Sequence, residues 1–302
     1  MIRITTRKIN QFGTPLISVL RRAYSNTTPR SVELAYEKED GNRIDEAIIL
    51  CHGWIGSKQN MRTVSRKLAT PTQSPSYNLD LRNHGSSPHA EPHDYAHMAA
   101  DIAAFIDTHQ LQNVTLIGHS LGGKAGMELA LTHPHLLRRL VIVDITPKSY
   151  ETRPAFYTMT EGMQAVERAG VRSRRQADAI LAKYEPRAEL RKYLLTNMVY
   201  THANDTHMHC KIPVQIINNA LTDLGTFPYQ NAEKQFSKPT TILKALNSPF
   251  LNHDDFLFVR KLFPAAEFTT IKSGHFVHLD EPDTFTELVA SHIEKDRRGA
   301  AG

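Results

Sequence analysis

The spacing of hydrophobic positions changes repeatedly between about residue 31 and the C-terminus. Short apolar runs predict buried strands at 76–81, 114–118, 140–145, 240–246 and 267–271. Apolar residues at helical spacing predict helices at 60–69, 95–109, 122–132, 253–262 and 282–295. This alternation is typical of an α/β protein with a mostly parallel central sheet and helices on both faces.

The pattern changes in three places. An early β-hairpin is predicted from an apolar run at 32–36, the turn Asp40-Gly41-Asn42 and a second run at 47–51. No strand is predicted between about 147 and 238, where the sequence is helical and more polar, and we interpret this block as a helical cap inserted over one face of the sheet. The last residues, 296–302, are predicted to be a frayed tail.

The composition excludes several classes of protein. With 302 residues, 40% hydrophobic and 22% charged, the chain has the size and composition of one globular enzyme domain. No apolar run approaches the roughly 18 residues that a membrane-spanning helix needs. Two cysteines, Cys51 and Cys210, are too few for a disulfide scaffold in a chain of this length.

The formal net charge of +5 has a local origin. Five basic residues lie in the first 24 positions, which contain no acid, and the rest of the chain carries no net charge. A basic, acid-free segment of this kind predicts a mitochondrial transit peptide at 1–24, followed by a single domain at 25–302. The expected location is the mitochondrion, in the matrix, and no nucleic-acid partner is expected.

The sharpest chemical signal is a buried strand that runs into Gly-x-Ser-x-Gly and then into a helix. The serine is Ser120, flanked by Gly118 and Gly122. This is the pattern of a nucleophile elbow, in which a tight turn lifts the serine hydroxyl out of the sheet. The same turn leaves the Leu121 amide at a helix N-terminus, where it can stabilise an oxyanion.

The segment 118–124 also fits the beginning of a phosphate-binding loop. Such a loop needs Ser or Thr directly after Lys124 to hold magnesium, and the chain has Ala125 there. The nucleophile elbow is therefore the better interpretation.

The other parts of an acyl-transfer site have candidates elsewhere in the chain. A strand ending in His52-Gly53-Trp54 predicts a second oxyanion donor, the Trp54 amide, with His52 closing the loop through hydrogen bonds. The general base is expected after the last strand, where His275 fits and His278 is the alternative.

The acid that orients the base is harder to assign. The turn after the strand at 240–246 is the usual place for it, but this turn contains no carboxylate. Asp144, at the end of the strand next to the elbow strand, is the favoured candidate. Asp254 and Asp255 are the alternatives, although their position at a helix start is typical of capping residues.

Sixteen histidines raise the question of a metal site. The two candidate groups are His89, His93 and His97, and His207, His209 and Cys210. Neither has the spacing of a known zinc motif, so no metal and no cofactor are expected.

Six segments together resemble the family of α/β-hydrolase domain-containing protein 11. They are 52–58, 80–88, which contains Arg82-Asn83-His84-Gly85, 118–124, 143–147, 247–250 and 274–278. The resemblance covers about residues 31–293 and implies an α/β-hydrolase fold. It also implies a catalytic triad of Ser120, Asp144 and His275. Two departures concern substrate preference: Trp54 stands where Leu or Phe is usual, and the stretch between Leu68 and Tyr77 is short and rich in Ser and Pro.

The resemblance implies a serine hydrolase whose small-molecule substrates are carboxylic esters or acyl thioesters. Because the family includes yeast ethanol acetyltransferases, the alternative is an alcohol O-acetyltransferase that uses acetyl-CoA as co-substrate. Arg172, Arg174 and Arg175 either attract the phosphates of CoA or form a solvated helix face, and the second interpretation is favoured. Aromatic and Met residues of the cap are expected to line the pocket, namely Tyr150, Phe156, Tyr157, Met159 and Phe227. A non-catalytic binding protein is disfavoured because every expected catalytic position is filled.

Overall fold

The computed structural model describes residues 30–200, 205–229 and 233–300. Within these ranges the strands are β1 Tyr36–Glu39, β2 Ile48–Cys51, β3 Ser76–Leu79, β4 Val114–His119, β5 Leu137–Val143, β6 Met198–Val199, β7 His209–Cys210, β8 Thr240–Ala245 and β9 Ala266–Ile271. Seven of them form one sheet in the order β1-β3-β2-β4-β5-β8-β9, and β6 pairs with β7. The predicted transit peptide lies outside the described residues.

The five predicted helices are present near their expected positions, and the same ranges contain further helices within the block at 147–238 and one just before the last helix. In chain order the helices are α1 Lys58–Thr72, α2 Tyr95–Thr108, α3 Leu121–Thr132, α4 Pro154–Arg168, α5 Arg174–Leu181, α6 Ala188–Leu195, α7 Val214–Asn219, α8 Leu221–Gly225, α9 Phe256–Leu262, α10 Val277–Asp280 and α11 Pro282–Ala300. Short 3-10 helices occur at Pro134–Leu136 and His253–Asp255.

The central sheet is parallel from β3 to β9 and is covered on both faces. In β2, Ile48 and Leu50 belong to one core cluster, and Ile49 and Cys51 belong to the other. The first cluster is completed by α1 and α11, and the second by α2 and α3. Strands that are buried on both faces consist of continuous apolar residues, which explains why this part of the sheet was predictable.

The predicted hairpin is wrong. β1 starts four residues later than expected and pairs antiparallel with β3, which lies between β1 and β2. The reason is burial: all four residues of β2 are buried and need a strand on each side, whereas β1 alternates between exposed and half-buried residues, as an edge strand does. Gly41 packs instead against the backbone of Ser74 in the connection before β3.

The predicted frayed tail is also wrong for residues 296–300, which continue α11. The Arg297 guanidinium donates to both carboxylate oxygens of Glu46, to the carbonyl of Thr72 and to the hydroxyl of Ser74. Asp296 accepts a hydrogen bond from Arg138 at 3.0 Å. These contacts hold the end of the helix against the start of the sheet.

The segment predicted to be the cap contains α4 to α8 and the small sheet of β6 and β7. The helices α4 to α7 share a third apolar cluster, which includes Met159, Met163, Leu181 and Leu194. Ile55, from the loop after β2, belongs to the same cluster. The cap is thus packed directly on a loop at the carboxyl edge of the central sheet.

No helix in the described part of the chain combines the length and the apolar character that crossing a bilayer requires.

Candidate active site

Ser120 occupies the sharp turn between β4 and α3. Its backbone has φ 50° and ψ −110°, in the half of φ that residues other than glycine rarely adopt, so the turn is strained. The Ser120 N–H donates to the carbonyl of Val143, the last residue of β5, at 3.1 Å. The serine is therefore held at the carboxyl edge of the sheet, at the N-terminus of α3.

The two glycines of the motif allow the helix to approach the sheet. A Cβ atom at Gly118 would collide with the backbone of Gly122, and one at Gly122 would lie 2.6 Å from the carbonyl oxygen of Cys51. The turn therefore forms only because neither position has a side chain.

Asp144 and His275 meet at the same edge of the sheet. Asp144 directly follows β5, has φ 51° and is completely buried. His275 follows β9, and its Nδ1–H donates to Asp144 Oδ2 at 2.7 Å across 131 residues of sequence. The structure thus places the predicted acid beside the predicted base.

The second oxygen of Asp144 is held by the neighbouring strand. Oδ1 accepts a hydrogen bond from the Ala245 N–H, at the end of β8, at 3.1 Å. β8 lies between β5 and β9 in the sheet, so its backbone spans the gap that the carboxylate has to bridge. A carboxylate at the end of β5 therefore reaches His275 without any acid in the turn after β8.

The alternative acids lie elsewhere. Asp255 Oδ2 accepts the Asn252 N–H at 2.9 Å, and Asp255 Oδ1 lies 2.5 Å from Lys148 Nζ. Asp254 is exposed in the same 3-10 turn. Neither carboxylate contacts His275, and Asp255 has the capping contact that its position predicted.

The imidazole of His275 is held on several sides. The ring packs on Phe250, with centroids 4.2 Å apart. The backbone carbonyl oxygen of His275 accepts a hydrogen bond from His119 Nε2 at 2.8 Å. The side chain remains 18% exposed. With Nδ1 engaged by Asp144, Nε2 is the nitrogen left to exchange a proton with a substrate or with Ser120.

The alternative base, His278, is buried behind this site. Its ring lies 4.6 Å from that of His119, and burial lowers the pKa of His278 to about 3. Among the described residues no carboxylate bonds to this ring, and a histidine that stays neutral without such a partner is poorly suited to act as a general base near neutral pH.

Ser120 and His275 line one cavity of about 280 Å³, which we call the His275 cavity. Trp54, Phe250 and the exposed Arg153 also line it. In the part of the chain that the structure describes, the Ser120 hydroxyl forms no hydrogen bond. Catalytic hydrogen bonds are often long in free enzymes and shorten when substrate is bound.

Two backbone amides near Ser120 have no backbone acceptor within the described ranges. Leu121 is the first residue of α3, where an N–H has no partner inside the helix, and Trp54 lies in the turn after β2. The next amide along, Gly122 N–H, donates to the carbonyl of His52 at 3.1 Å. This bond ties the start of α3 to the loop of Trp54 and keeps both candidate oxyanion donors beside the serine.

A pair of histidines links this loop to the loop after β3. His52 Nε2 accepts the Leu81 N–H at 3.1 Å, and His84 Nε2 accepts the Ile55 N–H at 3.1 Å. Each ring donates its Nδ1–H to a nearby backbone carbonyl, at 2.8 and 2.9 Å. Both nitrogens of both rings are therefore used to fix the backbone around Trp54.

These contacts require neutral imidazoles. Burial lowers the pKa of His52, and burial together with the neighbouring histidines lowers that of His84 well below 6.5. Each Nε2 consequently keeps the lone pair that accepts an amide proton near neutral pH. The role of His52 agrees with the sequence prediction, whereas the motif that contains His84 does not by itself indicate a role for that ring.

A second cavity of about 40 Å³ also reaches Ser120, and we call it the Lys124 cavity. Both candidate oxyanion residues, Trp54 and Leu121, line it together with Tyr150 and the completely buried Lys124. Sequence reasoning considered Lys124 only as part of a phosphate loop. Its position four residues after the serine, one turn along the same helix, was the signal that it overlooked.

The predicted pocket residues are mostly near the site. Tyr150 and Phe156 line the Lys124 cavity, and Met159 lines the His275 cavity. Phe227 is completely buried beside Lys124. Tyr157 lines neither of these cavities, since its hydroxyl lies 3.0 Å from that of Thr222 at the surface.

The three arginines considered for CoA, Arg172, Arg174 and Arg175, are exposed and line neither cavity. This placement agrees with the favoured interpretation of a solvated helix face.

The first candidate metal group is held apart by separate partners. His93 contacts Asn83, His97 contacts Asp94, and His89 lies 3.1 Å from the carbonyl of Lys211. Across residues 30–200, 205–229 and 233–300, no three His, Cys, Asp or Glu side chains are grouped so that they could hold a metal ion.

This chain is similar to known proteins in both sequence and structure. The family described as alpha/beta hydrolase fold matches residues 46–282. The sn-1-specific diacylglycerol lipase ABHD11 of Xenopus laevis is 35% identical over 88% of this chain and 85% of its own length. Ethanol acetyltransferase 1 of Kluyveromyces marxianus is 33% identical over 83% of this chain and 75% of its own length.

Among solved structures, a marine microorganism esterase superposes with a TM-score of 0.80 at 28% identity, covering 86% of this chain and 99% of the esterase. The sequence prediction of the fold class is thereby confirmed. The extent of the family match and the identity to these relatives show that the chain belongs to the α/β hydrolase fold family and, within it, to the family of α/β-hydrolase domain-containing protein 11.

Proposed function

We propose that this protein hydrolyses carboxylic esters and acyl thioesters through an acyl-enzyme on Ser120. The observation that carries the proposal is the contact of His275 with the buried Asp144, at the rim of a cavity that also contains the strained serine. The similarity to a diacylglycerol lipase and to an esterase supports the same reaction class.

In the acylation step, His275 Nε2 accepts the Ser120 proton while the hydroxyl oxygen attacks the acyl carbon. The negative charge that develops on the carbonyl oxygen is stabilised by the Trp54 and Leu121 amides. Asp144 stabilises the imidazolium and holds the tautomer that leaves Nε2 free to accept. When the intermediate collapses, the leaving alcohol or thiol takes the proton from His275.

In the deacylation step, water occupies the place of the leaving group. His275 removes a proton from the water as its oxygen attacks the acyl carbon, and then returns the proton to the Ser120 oxygen. The products are a carboxylic acid and the free enzyme. No metal or cofactor takes part in this scheme, so we expect dialysis against a chelator to leave the turnover number unchanged.

The alternative function is alcohol acetylation. It is favoured by the identity to the ethanol acetyltransferase, and it needs the same groups, since an alcohol replaces water as the acceptor of the acyl group. Acetyl-CoA would then be the acyl donor.

Product analysis distinguishes the two acceptors. The purified chain is incubated with acetyl-CoA or a short ester, with and without ethanol. Hydrolysis predicts free acid whose yield does not depend on ethanol. Ethyl acetate that rises with ethanol while free acetate falls would replace the hydrolase proposal by the acetyltransferase.

Covalent labelling tests the nucleophile directly. A fluorophosphonate probe is expected to label the wild-type chain and not Ser120→Ala. Equal labelling of the variant would show that another residue attacks.

We further propose that the protein acts in the mitochondrion, on the basis of the acid-free, basic segment 1–24. A fusion of residues 1–30 to a reporter should be imported by isolated mitochondria and shortened. The segment Arg21-Arg22-Ala23-Tyr24-Ser25 resembles a processing-peptidase site, so the same fusion with Arg21 and Arg22 changed to Ala should be imported but cut differently or not at all. Failure of the unaltered fusion to enter would refute the location.

A further inference from the structure

Lys124 lies one helical turn beyond Ser120, and its side chain is completely buried. Its N–H donates to the Ser120 carbonyl at 3.0 Å, so the two residues share one side of α3. Both line the Lys124 cavity. A cationic side chain is thus present inside the pocket that begins at the candidate nucleophile.

The surroundings of the ammonium are aromatic. Nζ lies 4.2 Å from the ring centroid of Tyr150, 5.5 Å from that of Tyr95 and 5.6 Å from that of Phe227. Its hydrogen-bond acceptor is the Lys148 carbonyl, at 2.9 Å. An ammonium has three protons to donate, so this acceptor leaves two of them for a ligand.

No carboxylate of the described residues forms an ion pair with Lys124. Burial alone, without an opposing charge, lowers the pKa of Lys124 to about 7. Burying a cation without a partner is costly, and the cost falls when an anion occupies the same enclosed space. The cavity therefore favours an occupant that brings its own negative charge.

The positions of the groups in the proposed mechanism indicate which part of the substrate enters the Lys124 cavity. The leaving group must be close to His275, which protonates it, and His275 lines the other cavity. The acyl carbonyl must be close to the Trp54 and Leu121 amides; Trp54 lines both cavities, whereas Leu121 lines the Lys124 cavity and not the His275 cavity. The acyl chain consequently extends from Ser120 towards Lys124.

The size of the cavity limits the length of the chain. A volume of about 40 Å³ is room for about three water-sized groups, because one needs about 10–15 Å³ on this measure. A long fatty acyl chain does not fit in this space, whereas a chain of three to five carbons does.

Building on the proposed function, we propose that the Lys124 cavity selects short acyl groups that carry a carboxylate at their far end. The substrates would be half-esters or half-thioesters of small dicarboxylic acids. Lys124 binds the free carboxylate, and the aromatic rings around it exclude water from the ion pair.

A matched pair of thioesters tests the inference. The succinyl and 4-methylpentanoyl thioesters of N-acetylcysteamine have acyl groups of the same shape, and only the first ends in a carboxylate. Thiol release is measured, and the uncatalysed rate is subtracted. We expect the wild-type chain to prefer the succinyl thioester in kcat/KM by about tenfold or more, and Lys124→Met to lower this preference by about a hundredfold.

Lys148→Met is the matched control. It removes a neighbouring cation, whose side chain pairs with Asp255, but keeps the backbone carbonyl that holds Lys124. The preference should be unchanged in this variant. Lys124→Gln is a second variant that removes the charge but keeps a polar side chain. The preference of the wild-type chain is measured without any substitution, so this part of the test does not depend on whether a variant folds.

Three outcomes overturn the inference. They are a wild-type chain that prefers 4-methylpentanoyl, a Lys124 variant that keeps the wild-type preference, and a preference that disappears in Arg153→Met but not in Lys124→Met. The last would place the carboxylate in the His275 cavity. Failure of the proposed function looks different, because hydrolysis of both thioesters would then persist in Ser120→Ala or be missing in the wild-type chain.

Discussion

Two histidine-containing regions meet at Ser120, and they are built on opposite electrostatic principles. On one side, His275 is partly exposed and is paired with the buried Asp144 carboxylate. On the other side, His52 and His84 are completely buried, have no carboxylate hydrogen-bond partner among the described residues, and bond only to backbone groups. An imidazole that must gain a proton has a carboxylate beside it, whereas imidazoles that only hold a loop are kept neutral by burial.

The largest effect on activity is expected at the pair of Asp144 and His275. In Asp144→Asn, the amide cannot stabilise the imidazolium or hold the required tautomer, so kcat should fall by about 10³–10⁴-fold. The measurement is kcat with a short ester. Asp255→Asn is the control, because Asp255 contacts Lys148 and Asn252 rather than His275, and its effect should be small. A large loss in Asp255→Asn with a small one in Asp144→Asn would move the acid to the other position.

A smaller loss of activity is expected at the buried, neutral pair of His52 and His84. His84→Ala removes the acceptor of the Ile55 N–H, next to Trp54, so the oxyanion loop loosens and kcat/KM should fall by about a hundredfold. The pH at which activity rises should stay as in the wild-type chain, since His275 and Asp144 are untouched. His97→Ala is the control, because this ring bonds to Asp94, the residue that precedes α2. A shifted pH profile in His84→Ala would mean that this ring takes part in proton transfer.

The smallest effect concerns stability in acid. Burial lowers the pKa of His278 to about 3, so between pH 6.5 and 3 the unfolded chain binds a proton there that the folded chain does not. The free energy of unfolding therefore falls as the pH falls through this window, by about 1.4 kcal/mol per pH unit for this residue. In His278→Gln the fall between pH 6.5 and 5 should be about 2 kcal/mol smaller.

Urea unfolding at several pH values measures this difference. An acid dependence that is identical in His278→Gln and the wild-type chain would show that His278 is accessible to protons in the folded state.

The sequence predicted most of the sheet because its strands are buried on both faces and appear as continuous apolar runs. The sequence also predicted that Ser120, Asp144 and His275 lie close together, because each follows a strand of a parallel sheet and the carboxyl ends of such strands share an edge. The absence of an acid after β8 was enough to favour Asp144. The catalytic roles themselves stay predictions until the variants are measured.

What sequence reasoning missed depends on contacts between distant residues. The pairing of β1 with β3 is decided by which strand needs two neighbours, and a local turn motif does not contain that information. The bond between Ile55 and His84 joins two loops that are 29 residues apart. The burial of Lys124 depends on aromatic residues from α2 and the cap, which the spacing along α3 does not show.

The bond between Asp144 and His275 also has a consequence for the order in which the protein is made. A ribosome synthesises the nucleophile and the acid well before the base, which arrives 131 residues after Asp144. A nascent chain that stops before β9 holds a serine without a proton acceptor. Reactivity is therefore acquired late in translation, after the residues of the cap that enclose the serine have already been synthesised.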